Sequence, residues 1–120
     1  MMQNLKSTVL SALQTASALS TLTGFYFQYP TAFTNLPLLS YFELGNVGNL
    51  YADNQEIGSE IIFQIDLWGK TSLSNYALAV DSAMTTLDFV RIFSTDLFEV
   101  DTQIFHKSMR FRRDYSDPNF

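Results

Sequence analysis

The sequence predicts one α+β domain, with a mixed or antiparallel sheet and two helices packed on one face. Two helical stripes, separated by alternating strand-like runs, carry this prediction in the order α-β-β-β-α-β-β. The chain of 120 residues has the length of a single domain covering 1–120. Apolar residues make up 47% and aromatic residues 15%, which is enough for one core. The aromatic surplus fits equally a core filled with Phe and an interface with a partner.

The N-terminal part of the chain predicts one helix and two short strands. Apolar residues recur every three or four positions over residues 4–19, which is the spacing of a helix face. The opposite face carries Ser, Thr and Gln, which fits either an exposed face or one that a neighbour covers. Residues 25–29 are aromatic and extended, and residues 38–44 alternate in polarity after Pro37, so both predict strands.

Residues 45–59 differ from the rest of the chain in composition. They hold three glycines and three asparagines, and they predict a long flexible loop or a mobile hairpin tip. We interpret this segment as a loop that contacts a partner, with Asn49, Tyr51 and Asp53 as candidate contact residues. Disorder without a partner is the alternative.

Residues 60–68 form the clearest predicted strand. Ile61, Phe63 and Ile65 alternate with residues that are partly polar, so one face belongs to the core and the other is partly accessible. This pattern predicts a strand in the centre of the sheet.

The rest of the chain predicts a second helix and two more strands. An apolar stripe indicates a helix over residues 73–87. Residues 89–93 and 104–113 predict the strands, joined by an acidic connection over 94–103. Residues 114–120 predict a polar tail that becomes ordered on contact.

Charge and composition argue against several classes of protein. The net charge of −5 argues against non-specific binding of nucleic acid across the whole surface. The lack of cysteine excludes disulfides, thiolate metal sites and thiol catalysis. The sequence has no apolar run of about 18 residues, so we expect no membrane-spanning segment and no membrane partner.

His106 is the only histidine of the chain. A lone histidine without a second His or Cys does not make a zinc or iron site of the usual composition. As a general base it would need a nucleophile and an orienting carboxylate, for which Asp66 or Asp101 are candidates. Alternation places His106 on a polar face with Arg110 and Arg112, so we expect a solvated or interface histidine.

Three carboxylates lie close together at Asp96, Glu99 and Asp101. They lack the 12-residue pattern of a calcium loop, so we interpret them as part of a solvated connection. The glycines do not form a phosphate-binding or nucleophile motif. We therefore predict no catalytic, metal-binding or cofactor-binding residues and no enzymatic activity.

The last predicted strand ends in four of the seven basic residues of an acidic chain. Arg pairs well with carboxylates across interfaces, and copies that meet head to tail would supply those carboxylates. A charged strand end that prevents aggregation is the alternative, and both remain open. The candidate interface residues of the whole chain are Lys107, Arg110, Arg112, Arg113, Asp96, Glu99, Asp101, Asn49, Tyr51 and Asp53.

Several segments together resemble a known family. They are Glu60-Ile-Ile-Phe-Gln-Ile-Asp-Leu-Trp68, the helix after it, Asp88-Phe-Val-Arg91 and Thr102-Gln-Ile-Phe-His-Lys-Ser-Met-Arg-Phe-Arg112. This layout resembles the small tail-completion proteins of long-tailed bacteriophages, also called tail-terminator or head-to-tail joining proteins. The N-terminal helix and Tyr29-Pro30 fit it too, so the resemblance spans most of the chain. Its motifs are patterns of strand and helix, not a catalytic fingerprint.

The resemblance implies a structural protein of the virion, located at the head–tail interface after assembly in the host cytoplasm. Such proteins form a hexameric ring at the head-proximal end of the tail tube, stop its elongation and dock the tail to the head connector. The implied partners are further copies of the chain, the tail tube protein and a head-completion or connector protein. Genomic DNA would pass through the lumen without specific binding. The family has no catalytic residues and no cofactor to carry over.

Other functions stay open beside this one. A head-side connector component (stopper or adaptor) and another small self-associating module are the nearest alternatives. A small hydrolase and a regulatory nucleic-acid binder belong to different classes, and they would need a catalytic pocket at His106 or salt-dependent DNA binding.

Overall fold

The structure is a computed structural model that describes residues 2–30 and 32–116. It confirms the α+β class, with two α-helices and five strands in one open mixed sheet. The elements in chain order are helix α1 (Lys6–Thr15), a 3₁₀ turn (Ser17–Leu19), strand β1 (Phe25–Phe27), strand β2 (Leu38–Ala52), strand β3 (Gln55–Gly69), helix α2 (Ser74–Thr86), strand β4 (Val90–Glu99) and strand β5 (Ile104–Ser116).

Strand β3 lies in the centre of the sheet, whose strand order is β1-β2-β3-β5-β4. The short strand β1 pairs with β2 in parallel, and all other neighbours are antiparallel. Sheet edges are therefore formed by β4 on one side and by β1 on the other. Because β1 covers only the start of β2, the stretch of β2 beyond Tyr41 has no strand on its outer side among the described residues.

The two faces of the sheet have different neighbours. On what we call the helix face, alternate strand residues such as Phe63 and Phe111 join one apolar cluster with Leu13 of α1 and Val80 of α2. Side chains alternate along a strand, so the residues between them point to the opposite side, which we call the open face. A smaller cluster around Trp68 lies there, and it packs against Tyr26, Phe33 and Leu36.

The sequence allowed either a long loop or a hairpin tip over residues 45–59, and in the structure this segment is part of a hairpin. Strands β2 and β3 continue their ladder to Ala52 and Gln55. Asp53 and Asn54 form the two-residue turn with φ of 51° and 63°. Asp and Asn tolerate this left-handed conformation, which hairpin turns of this length require. We call residues 45–60 of this hairpin, together with residues 114–116 of β5 that pair with its base, the arm. The Cα extents of the protein are 54 × 28 × 22 Å.

The connection predicted over residues 94–103 is also largely a strand. Strand β4 runs to Glu99 and pairs with β5 along its length, so Asp96 and Glu99 are strand residues and Asp101 lies in the turn that follows. Cross-strand hydrogen bonds form irrespective of side-chain charge, and this explains why the acidic composition was misleading.

Element ends differ from the predicted ends by amounts that have local causes. The predicted helix over 4–19 ends at Thr15, because Ala16 is extended with ψ of 116° before the 3₁₀ turn. The second helix agrees with its prediction within one residue at each end. Residues 114–116 of the predicted tail belong to β5, and residues 117–120 lie outside the described residues.

Two leucines, one on each helix, provide a matched test of the core. Leu13 is fully buried, whereas Leu78 is 66% exposed. We expect Leu13→Ala to lower the free energy of unfolding by about 2–5 kcal/mol, because it removes apolar contacts and leaves a cavity. We expect Leu78→Ala to change it by less than about 0.5 kcal/mol. Urea denaturation followed by circular dichroism measures both, and equal losses would contradict the assigned core.

Candidate functional site

Polar residues of β3 and β5 meet on the open face. In the ladder, Trp68 lies opposite His106, Asp66 opposite Ser108 and Gln64 opposite Arg110. Residues directly opposite each other in an antiparallel pair share a face, and their side chains are in contact distance. The strand alternation that buries Phe63 on the helix face therefore also assembles this polar row.

His106 is held on two sides. Its ring stacks on Trp68, with ring centroids 3.6 Å apart and an interplanar angle of 12°. Its Nε2 lies 2.7 Å from Oδ1 of Asp66, whose carboxylate is the acceptor. The indole Nε1–H of Trp68 donates to the hydroxyl of Ser40 over 3.1 Å. Phe33 packs on Trp68 from the adjoining loop, with ring centroids 4.8 Å apart.

The polar row continues from Asp66 towards the arm. The side-chain amide of Gln64 donates to Asp66 over 3.1 Å, and its carbonyl oxygen accepts from Nε of Arg110 over 3.1 Å. The guanidinium of Arg110 lies over the ring of Phe93, 5.3 Å from its centroid. Arg110 is thereby fixed by one hydrogen bond and one cation–π contact, and its side chain has little freedom left to lose on binding.

Nucleophilic catalysis needs a base, an orienting carboxylate and a nucleophile, and the arrangement around His106 contains the imidazole and the carboxylate of Asp66. A shallow depression beside the imidazole is lined by Ser72, Ser74 and Asp96, among others. The hydroxyl of Ser72 donates to that of Ser74 over 3.2 Å. Among the described residues, no hydroxyl is hydrogen-bonded to His106. The observed contacts hold the imidazole flat against Trp68, and they make a packing role the simplest interpretation.

The basic candidate residues divide between the two faces of β5. Arg110 and Arg112 lie on the open face, where Arg112 is exposed and pairs in register with Ile62 and Val90. Lys107 and Arg113 point the other way. Lys107 forms an ion pair of 3.2 Å with Asp96 across β4 and β5, so two candidates are brought together within one chain.

The remaining candidates lie apart from this group. Glu99 accepts a hydrogen bond from the hydroxyl of Thr102 over 3.0 Å, and Asp101 is exposed in the same turn. Asn49, Tyr51 and Asp53 lie on the arm, and their side chains are exposed. Asn54 at the arm tip lies ten positions along the strand from Gln64, the partner of Arg110, which places the tip roughly 30 Å from Arg110. One copy therefore does not bring the arm candidates and the basic candidates together.

Strand β4 is the part of the surface that the sequence prediction missed. Between Val90 and Glu99 no side chain is buried. Five of these are large apolar side chains whose exposed fractions lie between 45% and 61%, namely Val90, Ile92, Phe93, Leu97 and Phe98. The signal was present as apolar residues inside the acidic connection, especially Leu97 and Phe98.

Residues 2–30 and 32–116, which the structure describes, contain no group of three or more His, Cys, Asp or Glu side chains placed to hold a metal ion. Neither of their helices has the length and apolar character needed to cross a membrane. In comparisons with known proteins, no family model matches the chain and no curated protein is a detectable relative.

The hydrogen bond between Trp68 and Ser40 can be tested by a double-mutant cycle. Ser40 is fully buried and Trp68 almost so. We expect Ser40→Ala to cost about 1–3 kcal/mol in the free energy of unfolding, because it leaves the indole N–H without an acceptor. In a Trp68→Phe background the same substitution should cost about 1 kcal/mol less, since that N–H is gone. Additive losses in urea denaturation would contradict the bond.

Proposed function

We propose that the chain is a structural protein that associates with copies of itself, and that it works as a tail terminator of a long-tailed bacteriophage. The observation that carries the self-association is strand β4. Its ten residues form a sheet edge, none of them is buried, and apolar side chains project from both of its faces. Several large exposed apolar side chains gathered on one strand indicate an interaction site.

The form of the sheet supports a ring. Many proteins that stay monomeric have short edge strands, whereas β4 has ten residues, five of which are large and apolar with exposed side chains. The other edge of the sheet is different, since it consists of β1 and the outer side of the arm. Two unlike edges favour a head-to-tail contact between copies, and such contacts close into rings when the rotation allows it.

The specific place of the ring rests on the resemblance of residues 60–112 to tail-completion proteins. In this role a hexamer sits on the last ring of the tail tube, ends its growth and presents a surface to the head connector. The net charge of −5 on each copy fits a lumen through which DNA passes without binding, because like charges repel. No reaction is part of this function.

Deletion of the gene from the phage that encodes it tests the proposal. We expect unattached heads and tails of abnormal length in electron micrographs, and restoration by the wild-type gene on a plasmid. Normal virions from the deletion strain would end the proposal. A head-side stopper or adaptor would lie above the tail. A cryo-EM map of the virion neck therefore decides between that function and the proposed one.

Substitutions on strand β4 can distinguish an effect on folding from an effect on assembly. Ile92 and Leu97 are about half exposed, so we expect Ile92→Lys and Leu97→Lys to change the free energy of unfolding by less than about 0.5 kcal/mol. Both should nevertheless fail to complement the deletion strain, because a charge on a buried contact surface is costly. Gln14→Lys, on the exposed face of α1, adds the same charge as a control. Full complementation by the two β4 variants would contradict a contact through this strand.

A further inference from the structure

We infer that the open face around Arg110 and Arg112 receives the acidic side of the arm of a second copy. This inference deepens the proposed function and rests on it, since it identifies which surfaces of neighbouring copies meet. In this contact, the basic part of the open face of one copy meets the arm of the next copy.

Charge is segregated along the open face. The part of this face outside the arm, which carries Arg110 and Arg112 with Val90 and Phe93 opposite them, is what we call the body surface. Neither arginine forms an ion pair with the described residues. The next cross-strand position towards the arm tip pairs Glu60 with Asp114, and Asp53 follows at the turn. Along this face the charge therefore changes from positive at Arg110 and Arg112 to negative from Glu60 and Asp114 onward, so two copies complement each other when the arm of one lies on the body surface of the next.

Apolar side chains accompany the charges on both surfaces. On the body surface, Val90 lies opposite Arg112 and Phe93 opposite Arg110, and both are close to half exposed or more. On the arm, Val47 lies opposite Glu60 and is 63% exposed, and Tyr51 is 62% exposed. Each surface therefore offers an apolar centre beside its charges, which is the usual composition of a specific interface.

The same geometry favours a second copy over other occupants. Within one copy the acids of the arm do not pair with Arg110 or Arg112. No ion pair joins these side chains among the described residues, although Glu60 and Asp114 form the next cross-strand pair on this face after Arg112. A nucleic acid backbone along this face would leave the arginines and meet Glu60 and Asp114 at the next position, where phosphate is repelled. Arg110 is already oriented by Gln64 and Phe93, which lowers the entropic cost of pairing with a carboxylate.

Two opposite charge reversals test the contact between copies. Arg112→Glu makes the body surface repel an arm, and Glu60→Arg makes the arm repel a body surface. We expect each variant alone to complement the deletion strain at least about tenfold less well than the wild type. Expressed together, they should complement to within about threefold of the wild type, because each variant then meets an oppositely charged surface on its neighbour. Rescue between separate chains excludes a purely local effect of either substitution.

Matched controls come from the same chain. Arg113→Glu changes the charge equally on the adjacent residue of β5, which faces away from the open face. Asp101→Arg does so in the turn after β4. Both residues are interface candidates from the sequence, but the inferred contact includes neither, so we expect both controls to complement. Circular dichroism with thermal unfolding verifies that all four variants fold.

Three results would overturn the inference. They are wild-type complementation by either reversal alone, failure of the mixture although both variants fold, and a loss with Arg113→Glu equal to that with Arg112→Glu. Failure of the proposed function looks different, since the deletion strain itself would then give normal virions. In that case sedimentation equilibrium of the purified variants, alone and mixed, decides the inference: association only of the mixture supports it, and equal behaviour of all samples overturns it.

Discussion

The opposite character of the two faces of β3 determines the arrangement of the rest of the molecule. Its buried residues Ile61, Phe63 and Ile65 provide the floor on which both helices pack, and the residues between them carry the polar row. A shift of one residue in register would put Asp66 into the core and Phe63 on the open face, at a cost of several kcal/mol for the carboxylate alone. The pairing of β3 with β2 and β5 is therefore fixed by burial, and the contacts among His106, Trp68 and Asp66 follow from that pairing.

Local patterns were sufficient to predict most of the elements, whereas pairing between distant segments was not. The alternation over residues 60–68 and the stripe over 73–87 depend on neighbours in sequence, so they predicted a central strand and a helix correctly. Residues 45–59 and 94–99 became strands through hydrogen bonds to partners far along the chain, which composition does not report. For the same reason Asp66 was only one of two candidates beside His106, and the exposed surface of β4 was missed.

Exposure of β4 has a consequence for stability as well as for assembly. Its side chains contribute little burial in a single copy, so its ladder with β5 is the main interaction that holds it. Segments with few buried contacts open locally at low free energy. Covering Phe93 and Leu97 by a neighbour would remove apolar surface from water and order this edge at the same time. On the proposed function, ring closure therefore completes the stabilisation of a sheet that is unfinished in one copy.

On the proposed function, an apolar edge of this length needs protection before assembly, and three features of the chain provide it. Lys107 and Asp96 place an ion pair across β4 and β5, and a bulge between Arg91 and Phe93 interrupts the regular edge. Charges and bulges of this kind hinder edge-to-edge pairing of strands. The net charge of −5 adds a general repulsion between free copies, which only a well-matched contact overcomes. On the same proposal, the change from Arg110 and Arg112 to Glu60 and Asp114 along the open face supplies such a match in one head-to-tail orientation. The charges that oppose random contacts between copies would then also select the arrangement of a ring.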